Sequence, residues 1–205
     1  GKILIGGDFT RVNGEFLPGL MRLNPDGSPD TAFNTALHAN LTQLEGTIND
    51  IAIQPDGKII LAGNNVSYLT QTHGRIVRCI SRINPDGTYD PTFQSAFFID
   101  MTLRKIELQP DGKVYIAGVG SSGFNNVSLA RLHSTGEIDF GFSGVATLTG
   151  GFPVDLTGIT DFEVLENGQI LIVGGFTSLN GFTHGRIGRV NADGSIDLSF
   201  NTNNA

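Results

Sequence analysis

The segment that decides the fold is Gln54-Pro-Asp-Gly-Lys-Ile-Ile-Leu-Ala-Gly63. Proline presets φ, aspartate accepts hydrogen bonds from nearby backbone amides, and glycine adopts positive φ, so Pro55-Asp56-Gly57 predicts a tight turn. The strand that follows, Lys58–Ala62, is apolar at nearly every position instead of at every second one. Strands buried on both faces have this pattern, which predicts that the strand lies between packed layers.

Similar segments, each a Gly-Lys or Gly-Gln step followed by an apolar strand that ends in glycine, occur four times with starts 56, 55 and 56 residues apart. They are Gly1–Gly7, Gly57–Gly63, Gly112–Gly118 and Gly168–Gly174. A period near 55 residues exceeds the roughly 40–50 residues of the common propeller repeats, but it still indicates a propeller or a related repeat array.

A second pattern also occurs four times: Arg, an apolar residue, three residues, Gly, two residues, Asp, two residues and Phe. The three most distinctive positions of each copy, which we interpret as structural, are Arg22, Asp30 and Phe33; Arg82, Asp90 and Phe93; Arg131, Asp139 and Phe142; and Arg189, Asp197 and Phe200.

Each repeat therefore predicts four strands. In the second repeat these are A at Ile51–Gln54, B at Lys58–Ala62, C at about Arg75–Asn84 and D near Asp90–Phe93. No long segment has helical periodicity. The predicted fold class is all-β, a β-propeller of four-stranded antiparallel blades, because a closed ring leaves few exposed strand edges. A stacked β-solenoid is the lesser alternative.

We predict a single repeat array over residues 1–205, with about four blades at approximately 1–48 (incomplete), 49–103, 104–158 and 159–205. Three A strands accompany four sets of B, C and D strands. We therefore expect a piece of a longer array, or a ring that further blades of the same protein or another copy complete.

The sequence resembles the delta-60 repeat family, a bacterial β-propeller-like repeat. Its "QPDGKILIGGxFT" half is similar to Gln54–Gly63 and Gln109–Gly118, and its "RLNPDGSxDxxF" half to Arg22–Phe33, Arg82–Phe93 and Arg189–Phe200. The third repeat departs most, since His133-Ser-Thr-Gly136 replaces Asn-Pro-Asp-Gly. The resemblance implies a bacterial secreted or cell-surface protein that also contains adhesion-type domains, and it supplies no catalytic motif.

Composition narrows the range of partners. The net charge is −7 and no Lys/Arg cluster is present, which disfavours a nucleic-acid partner. No apolar run is long enough to predict membrane insertion. The single cysteine, Cys79, is interpreted as a small buried strand residue rather than a nucleophile.

In an antiparallel blade, the A–B and C–D turns share one end, here called the turn end, and the B–C and D–A connections share the other, the loop end. The turns are nearly identical and the loops vary, so we expect a protein or glycan ligand to bind at the loop end. Exposed aromatic residues of the loops are the binding candidates, although for most of them we expect a role in anchoring their loop in the core: Phe16, Tyr68, Phe97, Phe124, Phe152 and Phe182.

Other tempting residues have simpler interpretations. The four repeated aspartates could suggest metal sites, but their shared turn context favours turn capping or an ion pair with the repeated arginine. His73 and His184 both occur in Thr-His-Gly-Arg-Ile, which favours a structural role at the start of strand C. We expect no metal and no cofactor.

The predicted function is a non-catalytic module for protein or glycan binding, or a structural scaffold. The alternative is a propeller enzyme, a glycan hydrolase or lyase with a site at the central channel. Such enzymes need paired carboxylates or a His/Tyr/Arg cluster. The acids in or next to the loops show no repeated spacing that pairs them: Glu15, Glu45, Asp100, Asp155 and Asp161.

Overall fold

The computed structural model describes residues 1–17, 19–40, 44–70, 74–94, 101–120, 128–144, 148–149 and 158–200. These residues form antiparallel sheets and one short helix. In chain order the elements are β1 (Ile3–Gly6), β2 (Arg11–Val12), β3 (Glu15–Phe16), β4 (Leu20–Leu23), α1 (Thr31–Asn40), β5 (Leu44–Ile53), β6 (Ile59–Thr70), β7 (Gly74–Ile83), β8 (Met101–Leu108), β9 (Val114–Gly120), β10 (Leu129–Leu132), β11 (Leu148–Thr149), β12 (Ile159–Val164), β13 (Ile170–Gly174), β14 (Ser178–Leu179), β15 (Phe182–Thr183) and β16 (Ile187–Val190).

The chain divides into two compact units, Gly1–Asp100 and Met101–Ala205. In the first unit, β1 pairs with β4, and β6 pairs with both β5 and β7. In the second unit, β9 pairs with β8 and β10, and β13 pairs with β12 and β16. Strands β5, β8 and β12 occupy the A position, β1, β6, β9 and β13 the B position, and β4, β7, β10 and β16 the C position of the four repeats.

The turns at the turn end are almost copies of one another. In the A–B turn of the second repeat, the Gln54 N–H donates to the Lys58 carbonyl and the Gly57 N–H donates to the Gln54 carbonyl, both over 2.8 Å. Gly57 has φ of +82°. The same two hydrogen bonds and a positive-φ glycine occur in the other six turns, at Gly27, Gly87, Gly112, Gly136, Gly168 and Gly194.

The D segment of each repeat pairs with strand C through a single antiparallel bridge, such as Ile83–Tyr89. The reason lies in the residues that follow the bridge. The Thr92 N–H donates to the Asp90 side chain and the Phe93 N–H donates to the Asp90 carbonyl, while a proline at position 91 has no N–H to donate. Local turns therefore take the backbone donors that a longer fourth strand would need.

A β-bulge interrupts each described A–B pair at the same place. The register shifts between Ile48 and Asp50, between Leu103 and Lys105, and between Ile159 and Asp161. The residue before each shift pairs with the glycine that ends the strand B motif: Gly63, Gly118 and Gly174.

Each of these glycines allows the backbone of strand A to approach closely. A Cβ atom added at Gly118 would overlap the carbonyl oxygen of Thr102, and one added at Gly63 would overlap that of Thr47. Glycine in a strand commonly marks such an approach. The bulge thus explains why the strand B motifs of the second, third and fourth repeats end in glycine.

Helix α1 replaces the predicted D strand of the first repeat, which by analogy with Asp90–Phe93 would cover Asp30–Phe33. The Phe33 N–H donates to the Asp30 side chain, so Asp30 caps the helix N-terminus. Three alanines between Thr31 and Asn40 favour helix, and the segments after Asp90, Asp139 and Asp197 lack such a run. Phe33 and Leu37, four residues apart on one face, are both buried.

Each unit contains a hydrophobic core between its two sheets. In the first unit, Leu20, Phe33 and Leu37 of the first repeat pack with Ile59 and Leu61 of the second. In the second unit, the core combines residues of the third repeat, including Tyr115, Leu129 and Phe142, with residues of the fourth: Ile159, Phe162, Ile170, Ile172, Phe176, Leu179 and Val190. In the second and fourth repeats, strand B is thus buried on the face that meets the preceding repeat.

Among the described residues, none of the helical segments has the length and apolar character needed to cross a membrane.

Candidate functional site

The turn end of each repeat carries a cluster centred on the repeated aspartate. In the second repeat, Asp90 Oδ2 accepts hydrogen bonds from Arg82 Nε at 2.8 Å and Lys58 Nζ at 2.9 Å. Asp90 Oδ1 accepts from the Thr92 N–H at 3.0 Å and the Thr92 hydroxyl at 2.6 Å. Arg82 also donates to Gln54 Oε1 at 3.0 Å. Both carboxylate oxygens are therefore engaged.

The other three clusters repeat this arrangement. The Nε–Oδ2 distance is 2.7 Å for Arg22–Asp30, Arg131–Asp139 and Arg189–Asp197. A lysine completes the first and third clusters, at Lys2 and Lys113. In the fourth cluster the lysine is replaced by Gln169, whose Nε2 donates to Asp197 Oδ2 at 3.0 Å.

Each arginine of these clusters also lies over the ring of the repeated phenylalanine. The guanidinium carbon is 3.8 Å from the ring centroid for Arg22 over Phe33 and 4.9 Å for Arg82 over Phe93. The equivalent distances are 5.0 Å for Arg131 over Phe142 and 4.8 Å for Arg189 over Phe200. A cation–π contact and an ion pair thus hold each arginine between aspartate and aromatic ring.

The clusters stabilise the charged form of the aspartates. Hydrogen bonds from Lys2 and Arg22 lower the pKa of Asp30 to about 2. At Asp139, burial opposes ionisation, but the contacts with Lys113, Gly141 and Arg131 outweigh it and lower the pKa to about 2. Contacts with Ser199 and Arg189 lower the pKa of Asp197 to about 2 as well.

Cations and backbone amides already occupy these carboxylates, so the turn end offers no free acidic ligands at the four clusters. In the part of the chain that the structure describes, no group of three or more His, Cys, Asp or Glu side chains could hold a metal ion. The geometry and charge of the four aspartate clusters therefore stabilise the turn end of each repeat.

The loop end is described best at two hairpins that connect strands B and C in the first and fourth repeats. Strands β2 and β3 pair around Asn13-Gly14, and β14 and β15 pair around Asn180-Gly181. All four turn residues have positive φ, between +46° and +88°. Asn-Gly suits this turn because both residues tolerate left-handed backbone torsions.

The hairpin of the fourth repeat carries the candidate Phe182. Its neighbours Phe176 and Leu179 are fully buried and hold the base of the hairpin in the core. Phe182 itself is 48% exposed, directly after the Asn180-Gly181 turn. At the matching position of the first hairpin the residue is Glu15. The two hairpins therefore share a frame but differ in the chemistry of this position.

His184 follows the same hairpin and is buried. Its backbone N–H donates to the Thr177 carbonyl at 2.9 Å. Its Nδ1 atom has no hydrogen-bond partner. His73, the matching histidine of the second repeat, lies outside the described residues.

The remaining binding candidates are described less completely. Phe16 lies in β3 and Tyr68 in β6, where the structure describes only the backbone. Phe97, Phe124 and Phe152 lie outside the described residues. Of the five acids considered for catalysis, Asp161 is described in full: it is exposed and lies 3.7 Å from Lys105.

Glu107 is a carboxylate that sequence reasoning did not select. Burial raises its pKa, and the nearby charge of Glu163 adds to the increase, while a hydrogen bond from Gln109 opposes it. Both glutamates lie on strands at the A position, β8 and β12. The alternation of apolar and polar residues along these two strands is too weak in the sequence to predict that Glu107 and Glu163 lie near each other. Cys79 is buried, in agreement with a packing role.

Comparisons with known proteins concern the whole chain. A family model described as "Domain of unknown function (DUF5122) beta-propeller" matches residues 1–33, 54–93, 109–142 and 165–200. These segments contain the four copies of both sequence patterns, and the predicted β-propeller class is confirmed. No curated protein matches the sequence.

Among solved structures, the chain is similar to a crystal structure of a protein of unknown function from Bacteroides caccae. The two are 13% identical, the alignment covers 88% of this chain and 74% of that chain, and the TM-score is 0.36. A likeness at this level supports no argument about fold or function.

Proposed function

Since the chain belongs to the DUF5122 β-propeller family, whose function is unknown, we propose that it is a non-catalytic module that binds a protein or glycan ligand through its loop end. We further propose that it is part of a larger bacterial protein that is secreted or exposed on the cell surface, and that its repeats are of the delta-60 type.

The observation that carries this proposal is the exposure of Phe182 on a hairpin whose base is fixed. An exposed aromatic ring next to a turn keeps apolar surface in contact with water, which is unfavourable. A ligand that covers the ring removes this surface from water and so gains binding free energy. Because Phe176 and Leu179 are fully buried in the core, they anchor the hairpin that carries the ring. Rigid presentation reduces the conformational entropy lost on binding.

The chemistry of the turn end also supports ligand binding at the loop end, because the charged side chains of the turn end are already paired. Its repeated arginines and aspartates bind one another, and their geometry is nearly identical in four repeats. A recognition surface needs side chains that differ from repeat to repeat. Such differences occur at the loop end, as the pair Glu15 and Phe182 illustrates.

A binding screen with the whole chain tests the proposal. The labelled chain is applied to a glycan array and to an array of bacterial and host surface proteins, and hits are measured by calorimetry. We expect Phe182→Ala to weaken binding at least about tenfold, because loss of a buried aromatic contact costs roughly 1.4 kcal/mol or more.

Phe140→Ala is the matched control. Phe140 is also an exposed aromatic residue, but it directly follows Asp139 of the turn-end cluster. If Phe140→Ala abolished binding and Phe182→Ala left it intact, the ligand would bind at the turn end and the proposal would be overturned.

A further inference from the structure

Arg186, just before strand C of the fourth repeat, has a backbone conformation that arginine rarely adopts. Its φ is +65°, and within the described residues the other non-glycine residues with positive φ are Asn13 and Asn180. Those two lie in Asn-Gly turns, and asparagine tolerates left-handed torsions better than arginine does. The surrounding structure therefore holds Arg186 in a strained conformation.

The first repeat shows which residue the backbone favours at this position. The Gly7 N–H donates to the Gly19 carbonyl at 3.0 Å, and the Gly174 N–H donates to the Arg186 carbonyl at 3.0 Å. Gly19 and Arg186 are thus equivalent, and Gly19 has φ of +73°. Glycine adopts this torsion without strain. Strained residues cluster at ligand sites, which points to a use for the arginine side chain.

The charge around the fourth-repeat hairpin favours an anionic ligand. The chain has 20 acidic residues, but none lies in the segment Asn167–Ala192, which contains the hairpin. Of the two arginines in this segment, Arg189 bonds to Asp197 at the turn end, and Arg186 lies at the loop end. A guanidinium group has several N–H donors and binds oxyanions through parallel hydrogen bonds.

The hairpin itself offers one apolar ring among small polar side chains. Phe182 is 48% exposed, and the exposed residues near it are Asn180 and Thr183. Phe176 and Leu179 are fully buried. A protein interface normally covers several apolar side chains around its centre, whereas a sugar can stack its C–H face on one ring. The hydroxyl groups of a sugar also suit amide and hydroxyl side chains.

Neighbouring repeats make specific contacts with each other at the turn end. Arg22 donates from Nη1 to the Pro85 carbonyl of the second repeat at 2.7 Å, and Arg131 donates to the Ala192 carbonyl of the fourth repeat at 3.1 Å. The glycines of these two turns are buried at the contact: Gly87 and Gly194. This contact between repeats therefore lies at the end opposite the hairpins.

The hairpin tips stay exposed when a repeat has a neighbour. Asn13 and Gly14 are exposed although the second repeat packs on the first, and Asn180 and Gly181 are exposed beside the third repeat. The accessibility of the tip is thus a property of the hairpin and not of the position of its repeat in the array.

We propose that the hairpin of the fourth repeat binds an acidic glycan. The Phe182 ring stacks on the C–H face of a sugar, and the Arg186 guanidinium binds a carboxylate or sulfate group of the same glycan. This inference rests on the proposed function and assigns the chemical class of its ligand. The strained backbone then places a cation four residues after the stacking ring, which glycine at this position cannot provide.

An array that pairs each acidic glycan with its neutral counterpart tests the assignment. It contains uronate oligosaccharides beside their methyl esters, sulfated oligosaccharides beside desulfated forms, and sialylated oligosaccharides beside asialo forms. We expect the whole chain to bind an acidic glycan at least about tenfold more tightly than its neutral counterpart in calorimetry. The pairs distinguish a carboxylate from a sulfate, and added salt should weaken the binding.

Arg186→Gly separates recognition from a structural role, because it introduces the residue of the first repeat. Glycine relieves the strain, so we expect the variant to be at least as stable as the native chain in chemical denaturation. Its affinity for the acidic glycan should fall at least about tenfold. Arg186→Lys keeps the charge without the planar guanidinium and should bind with intermediate affinity.

Arg11→Gln is the control, since Arg11 lies in the first-repeat hairpin, where it is exposed and donates to the Gly14 carbonyl. This variant should bind like the native chain. A structural role for Arg186, shared with Arg75 in the second Thr-His-Gly-Arg-Ile segment, predicts instead that Arg186→Gly loses stability.

Three results would overturn the assignment: no acidic glycan that binds more tightly than its neutral counterpart, an Arg186→Gly variant with native affinity, or an Arg186→Gly variant that loses stability and affinity together. A ligand whose binding depends on Phe182 and not on Arg186 would overturn the acidic glycan and leave the proposed function intact. A ligand whose binding depends on neither residue would overturn both.

Discussion

Arg82 and Asp90 form an ion pair in which both side chains are more than nine-tenths buried, at 7% and 4% exposure and an Nε–Oδ2 distance of 2.8 Å. Arg189 and Asp197 have the same geometry at 2.7 Å, but the arginine is 29% exposed. Water therefore screens the second pair more than the first. The same sequence pattern should contribute differently to stability in the two repeats.

Replacement of the arginine by methionine measures this difference. Arg82→Met leaves the buried Asp90 with Lys58 as its remaining cation, and we expect the free energy of unfolding to fall by about 3 kcal/mol. Arg189→Met should lower it distinctly less. Chemical denaturation of both variants checks the prediction, and equal losses would show that burial does not set the strength of the pair.

The aspartate clusters should make the protein sensitive to acid. Asp30, Asp139 and Asp197 have a pKa lowered from 3.8 to about 2 in the folded chain. A lowered pKa stabilises the folded state above pH 3.8, and this contribution disappears as the pH falls towards about 2. Denaturation at a series of pH values should show unfolding free energy decreasing over this window.

Asp139→Asn should reduce that pH dependence, since it removes one of the titrating groups. Asp161→Asn serves as the control, because its carboxylate is exposed and contacts Lys105 at 3.7 Å. If both variants keep the acid dependence of the native chain, groups other than these clusters cause it.

The glycines opposite the bulges should not tolerate alanine. A Cβ at Gly118 overlaps the Thr102 carbonyl oxygen, so strand A must move away from strand B. We expect Gly118→Ala to lower the free energy of unfolding by about 1–3 kcal/mol, as overpacking does. Gly7→Ala is the control: its Cβ would meet only the Phe9 ring, at 3.5 Å, and a change within about 0.5 kcal/mol is expected.

Glu107 should destabilise the folded chain at neutral pH. Its pKa is raised mainly by burial, so the folded state favours the protonated form, and stability is lost as the pH rises through the folded pKa. Glu107→Gln should therefore be more stable than the native chain at neutral pH, with the difference vanishing in acid. Glu163→Gln should lower the pKa of Glu107, which an NMR titration of its carboxyl carbon measures. A Glu107→Gln variant that is less stable at neutral pH would contradict this account.

The sequence predicts the turns and the three main strands of each repeat because local chemistry determines them. Pro-Asp-Gly specifies its turn wherever it occurs, and an apolar strand such as Lys58–Ala62 can be recognised without its neighbours. Helix α1 was missed although Asp30 and the alanines signal it, because the repeat pattern assigned Asp30–Phe33 to a strand.

The bulges and the contacts between repeats could not be predicted from the sequence. A bulge adds one residue to strand A that no residue type of strand A marks; its sequence signal lies on strand B, in the glycine that the close approach requires. Arg22 and Pro85 are distant in the chain, and nothing local shows that they meet. At the loop end, the Asn180-Gly181 hairpin carries a sequence signal, but the exposure of Phe182 depends on how deeply its neighbours are buried.

The burial of Gly87 and Gly194 against the preceding repeat also bears on how the protein unfolds. A repeat that loses its neighbour exposes the turn and loses the hydrogen bond between the arginine of one repeat and the turn of the next, such as that from Arg22 to the Pro85 carbonyl. Part of its stability therefore comes from the contact between repeats and not from the repeat itself. In a nearest-neighbour description of such arrays, strong junction terms make adjacent repeats melt together. Two adjoining sheets would then unfold as one cooperative unit, and a mutation that destabilises one sheet would also destabilise its neighbour.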